Sequence, residues 1–200
     1  AAHLGLDGHV IGDAAVVGAG FVVAGSLLSV GVGLIKAARA VRRLLLHATV
    51  GEGPQQSVIV GGPGVLLAAA GLARPKVLVS AGALAALDDE ELAAGLEHER
   101  GHIVRRHRFV LVLAEICRGV ARFLPGTRAA VDNLVLHLER DADLWALARC
   151  HDRLALASAI CKAATLRPGA SSPLMATLGE RSVRARLDQL MDGTAGESAA

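Results

Sequence analysis

From Ala14 to Ile35 the chain carries no charged residue, only small and aliphatic side chains with Phe21, Ser26 and Ser29 among them. As a helix this run rises about 33 Å, enough to cross about 30 Å of hydrocarbon. Lys36, Arg39, Arg42 and Arg43 follow directly, whereas Asp7 and Asp13 precede it without any Lys or Arg. The positive-inside rule then places 1–13 as an extracytoplasmic loop, 14–35 as a transmembrane helix and the rest in the cytoplasm. The competing reading is a buried core helix, against which the length of the uncharged run argues. Between Thr49 and Ser80 the pattern shortens: Ser57 to Val60 and Lys76 to Ser80 read as strands, Val65 to Ala70 as a third, and Gly61-Gly62-Pro63-Gly64 as a turn. Helical spacing returns at Asp88, with Leu92, Leu96 and Ile103 on one side, Asp88 as N-cap and Glu91 three residues later. Phe109 to Leu124 is apolar but interrupted by Glu115, Arg118 and Arg122 at helical spacing. It is expected as an amphipathic helix packed on the core or along a membrane surface. Further helices are expected at Arg128–Arg149, Ala155–Leu166 and Arg181–Met191, with a loop at Pro168–Pro173 and a disordered tail at 192–200.

Composition sharpens this picture in three ways. Half the chain is hydrophobic yet only 2% is aromatic, which suits membrane contact or an aliphatic helical core. A net charge of +2 implies no nucleic-acid footprint. Cys117, Cys150 and Cys161 form no CxxC pair, and an odd count fits free thiols in a reducing compartment. Basic residues other than Lys36, Lys76 and Lys162 are all Arg, as in GC-rich bacterial genomes.

The chemistry lies in His98-Glu99-Arg100-Gly101-His102 and Glu139-Arg140-Asp141-Ala142-Asp143. Helical positions four apart differ by about 40° in azimuth, so His98 and His102 can offer two imidazoles to one metal. Glu99 then stands beside a metal-activated water as general base. Glu139 supplies a third ligand and leaves a fourth tetrahedral position open, the mark of a catalytic Zn2+ site. Asp143, one turn after Glu139, shares its face and can accept from a ligand imidazole's other nitrogen. Glu99 is thus the catalytic candidate, and His98, His102 and Glu139 the metal ligands. On a continued helix His107 lies about 180° from His98, and it misses the HExxHxxGxxH spacing, so it is expected on the surface of an Arg-rich helix end. His137 lies about 200° from Glu139. His151 either folds back to steady an oxyanion or serves an ordinary surface role.

Arg74-Pro75-Lys76-Val77-Leu78-Val79-Ser80, Leu92 through His102, Glu139 through Asp143, the Phe123-Leu124-Pro125 step and Arg184-Ala185-Arg186-Leu187 are similar to the membrane-bound zinc metallopeptidases of the BlaR/MecR type. The HtpX and CAAX prenyl proteases share the same metal logic. They carry a His-Pro where this chain has Ser172-Pro173. The resemblance implies an α+β zincin-like catalytic domain, mainly α with a small β-sheet, at 36–191 and at least one transmembrane helix. It also implies a multi-pass protein of the bacterial inner membrane with its catalytic domain in the cytoplasm, and further transmembrane helices before Ala1. Peptide or protein substrates and membrane lipid are the expected partners, with a regulatory protein such as a transcriptional repressor as the cleaved target. The alternatives are an HtpX-like quality-control protease and a non-catalytic zinc-binding signalling scaffold. His107 stands where many such relatives have Asp.

Overall fold

No proline interrupts the chain before Pro54, and the first helix runs well past the uncharged stretch at both ends. In the computed structural model, which describes residues 4–47, 49–71, 74–121, 124–166 and 183–192, helix α1 spans Leu4–His47. Residues 4–13, expected as a loop, are therefore helical: Asp7 and Asp13 alone do not break a helix that no Pro interrupts. Its stretch Val16–Ala40 is long and apolar enough to cross a membrane, with a mean hydropathy of 2.0. Val16, Phe21 and Leu28 stand exposed along it.

Four short strands follow: β1 (Thr49–Glu52), β2 (Val58–Val60), β3 (Leu67–Ala70) and β4 (Lys76–Ser80). They lie in the order β1-β2-β4-β3, antiparallel except for the central β2/β4 pair. Sequence pattern reveals β2, β3 and β4 but not β1, whose four residues are held by pairing with β2 rather than by apolar alternation. Val77 and Val79 pack with Leu87, which follows α2, and with helix-borne Leu92 and Leu96, while Val58, Val60, Ala70 and Leu78 form a separate cluster. Ser80 ties the end of β4 to its surroundings. Its hydroxyl donates to Gly64 O (2.6 Å) and accepts from Leu66 N (2.9 Å) and Ala83 N (3.0 Å), capping the short helix α2 (Ala81–Ala86).

Helix α3 (Asp89–Val104) begins as the sequence indicates, with a reciprocal capping box between Asp88 and Glu91. Glu91 is also buried against Lys162 Nζ (2.6 Å) and Ser158 of α6 (Arg153–Thr165), which anchors the start of α3. Helix α4 (His107–Val120) and helix α5 (Thr127–Cys150) complete the central group, with a short helix α7 over 183–192. The amphipathic α4 packs along α1: the Ser26 hydroxyl lies 2.7 Å from Val22 O and 2.8 Å from Gly119 O. The loop expected at 168–173 lies outside the described residues, as does the tail beyond 192.

The contact that positions everything else is the crossing of α3 and α5. A Cβ on Gly101 would sit 3.1 Å from Trp145 Cβ and 3.2 Å from Ala142 Cα, while Ala94, Ala142 and Ala146 are wholly buried. Only small residues permit two backbones this close. Gly101→Leu is therefore expected to force α5 outward and cost about 1–3 kcal/mol, although leucine is the better helix former. A fall in the thermal unfolding midpoint together with weakened zinc binding checks this; an unchanged midpoint would refute it.

Candidate metal centre

Helix α3 carries His98 and His102 one turn apart, with their Nε2 atoms 3.2 Å from each other. Across the α3/α5 crossing, Glu139 Oε2 lies 3.5 Å from His98 Nε2 and Oε1 lies 3.5 Å from His102 Nε2. These three residues form a group able to hold a metal ion. The spacing can be tested against zinc. With bonds of about 2.0–2.1 Å and tetrahedral angles, ligand atoms stand about 3.3–3.4 Å apart. The observed separations and the two-imidazole, one-carboxylate donor set both fit.

Around these ligands the charges are closely compensated. Arg186, from α7, grips Asp143 with two nitrogens, Nε to Oδ2 at 2.8 Å and Nη2 to Oδ1 at 2.6 Å, and donates from Nη1 to Glu139 Oε2 at 2.8 Å. His98 Nδ1 lies 2.9 Å from Asp143 Oδ1, an ion-pair contact that the ring N–H meets obliquely. Burial disfavours the His98 imidazolium, but Asp143 and Glu139 outweigh it and lift the pKa to about 9. Burial and the neighbouring His98 push His102 down to about 4. Glu139 resists the upward pull of burial because His98 and Arg186 hold it at about 2. Without metal, then, a single proton on His98 does part of the work of a cation between two carboxylates.

Glu99 stands apart from this ion-pair set. Burial raises its pKa against the opposing pull of His98 and of the Ala69 N–H, which it accepts at 2.6 Å. Ala69 belongs to β3, the outer strand on this side of the sheet, so the candidate base lies against a strand edge. Arg108 of α4 donates to Gly71 O just beyond the same strand.

The structure brings together all five residues singled out from the sequence and adds two that were missed. His107 is not a surface residue. It is buried, with Nδ1 2.9 Å from His102 Nδ1 and Nε2 3.0 Å from Asp141 Oδ2. The reason is that α3 does not continue: Arg106 adopts a left-handed conformation (φ 55°, ψ 32°) and α4 starts at His107. The second is Arg186, placed in a run matched to relatives but given no role; its buried partners lie more than forty positions upstream. His137 is exposed. His151 is exposed at the left-handed C-cap of α5, lining a surface hollow with Leu147, Asp152 and Leu154. Cys117 and Cys161 are exposed free thiols and Cys150 is half-buried.

With His102 and Glu139 already deprotonated at neutral pH, zinc must displace only the His98 proton. Binding at about pH 7 is expected to release about one proton. Apparent affinity should then rise about tenfold per pH unit and level off above about 9. Titration calorimetry in buffers of different ionisation heat measures this directly. Proton-free binding near neutrality would contradict the charge arrangement.

Residues 38–129 match the model of peptidase family M48, a span that contains the HExxH helix and ends before Glu139. No curated protein and no solved structure matches the chain. The narrower BlaR/MecR-type likeness lies outside what this match covers. Over those residues, less than half of the chain, the sequence is similar to the metal-dependent peptidases of family M48.

Proposed function

We propose that this chain is a membrane-anchored zinc endopeptidase in which His98, His102 and Glu139 hold the metal and Glu99 is the general base. The observation that carries this reading is the triangle of candidate ligand atoms at 3.2–3.5 Å with the half-buried Glu99 carboxylate on the adjacent residue. A zinc ion held there would act as Lewis acid toward a scissile carbonyl and make water a nucleophile near neutral pH. Glu99 takes the proton of the attacking water and returns it to the leaving amine nitrogen, a double duty suited to a carboxyl whose pKa burial has raised. Asp143, clamped by Arg186, fixes the ring of His98. β3 is an outer strand whose Ala69 N–H donates to Glu99, so an extended peptide adding along the rest of that edge would bring its backbone to the base.

The anchor is α1, with the Arg-rich end following Ile35 on the cytoplasmic side of a bacterial inner membrane. A regulatory protein such as a transcriptional repressor is the substrate class that the BlaR/MecR-type sequence runs favour. A scaffold without catalysis would have no use for a carboxylate at Glu99.

Glu99→Gln is expected to keep stoichiometric zinc while lowering peptide hydrolysis about 10²–10⁴-fold. His98→Ala should lose most of the metal, measured by elemental analysis of purified protein. Undiminished cleavage by Glu99→Gln would remove that residue from the mechanism. Comparing cleaved proteins in cells carrying wild-type and Glu99→Gln chains identifies the substrate.

A further inference from the structure

We propose that His107 is a positioning residue for the metal centre, locking His102 in the tautomer that presents Nε2 to the ion. The inference rests on the zinc reading above and concerns a residue that the HExxH and ExxAD motifs do not include. His107 is 3% exposed and its ring meets that of His102 edge-on, with centroids 4.9 Å apart at 80°. Its two nitrogens face different partners: Nδ1 is 2.9 Å from His102 Nδ1, and Nε2 is 3.0 Å from Asp141 Oδ2.

Counting hydrogens fixes the direction of this chain. Two ring nitrogens at hydrogen-bond distance share one hydrogen between them. A carboxylate only accepts, so the Asp141 contact puts the His107 hydrogen on Nε2. Neutral His107 then has a bare Nδ1, which must accept, and the shared hydrogen belongs to His102 Nδ1. The remaining nitrogen of His102, Nε2, is left as a lone-pair donor facing His98 and Glu139. Asp141 is itself steadied by Arg105, whose Nε is 3.6 Å away.

The backbone is shaped for this contact. A left-handed conformation at a non-glycine residue is uncommon, and Arg106 holds one immediately before His107. That turn ends α3 and swings the His107 ring beneath His102. Each ligand imidazole is thereby backed by a carboxylate, His98 by Asp143 directly and His102 by Asp141 through His107. Outer partners of this kind orient a ligand ring and raise its basicity.

The test uses the full chain in detergent, with zinc affinity read by competition against a chromogenic chelator and the cobalt-substituted absorption spectrum as a second readout. His107→Leu fills the same space without either hydrogen bond and is expected to weaken zinc about 10–100-fold and to alter the cobalt spectrum. In His107→Asn the side-chain oxygen occupies the place of Nδ1, so acceptance from His102 is restored and most of the affinity should return. A purely space-filling His107 predicts the reverse order, because Leu packs an apolar junction better than Asn. Should His107→Leu not fold, Asp141→Ala, at a residue whose side chain is 38% exposed, must still weaken zinc severalfold. Wild-type protein that binds no zinc overturns the metal reading and this proposal together. Wild-type protein that binds zinc alongside a His107→Leu variant of equal affinity overturns this proposal alone.

Discussion

The close approach of α3 and α5 at Gly101 and Ala142 is the constraint on which the site depends. Glu139 sits one turn before Asp143 on α5, and its carboxylate reaches both histidines because Gly101, with no side chain, lets α5 come this close at Ala142 and Trp145. A displacement of one or two ångströms would leave three ligand atoms that no single ion could bridge at normal bond lengths. Ala94, Ala142 and Ala146 add little hydrophobic area individually. Their contribution is geometric: they let rigid helices, rather than loops, carry all three candidate ligands.

Bringing these residues together also concentrates charge. Glu99, Glu139 and Asp143 are held in one partly buried region, which would be unfavourable without compensation. Arg186 meets two of the three carboxylates through hydrogen bonds of 2.6–2.8 Å, and its own charge is held firmly, its pKa raised by Asp143 against the cost of burial. His98 supplies the remaining compensation, but only while it carries a proton. The arrangement is therefore balanced for a cation at the position where the candidate ligand atoms meet, with Glu99 outside the Arg186 clamp.

Much of this was legible in the sequence, and the parts that were not share a cause. The pairing of His98 with His102 and of Glu139 with Asp143 on one helix face follows from i, i+4 spacing, which holds inside a helix regardless of what surrounds it. The capping box at Asp88 and Glu91 is equally local. His107 escaped because its position depends on a helix break at Arg106 that no Gly or Pro announces: Arg105-Arg106-His107-Arg108 has the composition of a solvated helix end, and azimuth computed along an unbroken helix sends His107 the wrong way. Arg186 escaped because its partners lie far off in sequence, and β1 because pairing with β2 rather than its own pattern makes it a strand.

The same break at Arg106 links the metal centre to the helix proposed as anchor. From His107 onward α4 runs along α1, with Phe109, Val110 and Leu113 exposed on it as Phe21 and Leu28 are on α1. Ser26 lies well inside the apolar stretch Val16–Ala40, so its contact with Gly119 sets the far end of α4 beside the interior of that stretch rather than its margin. Glu115 and Arg118, both with partly exposed side chains on α4, pair at 2.5 Å. One left-handed residue thus fixes two directions at once. It turns His107 inward beneath His102, and it turns the following helix along α1, so that the candidate metal centre and α1 are held together by packed helices rather than by a linker.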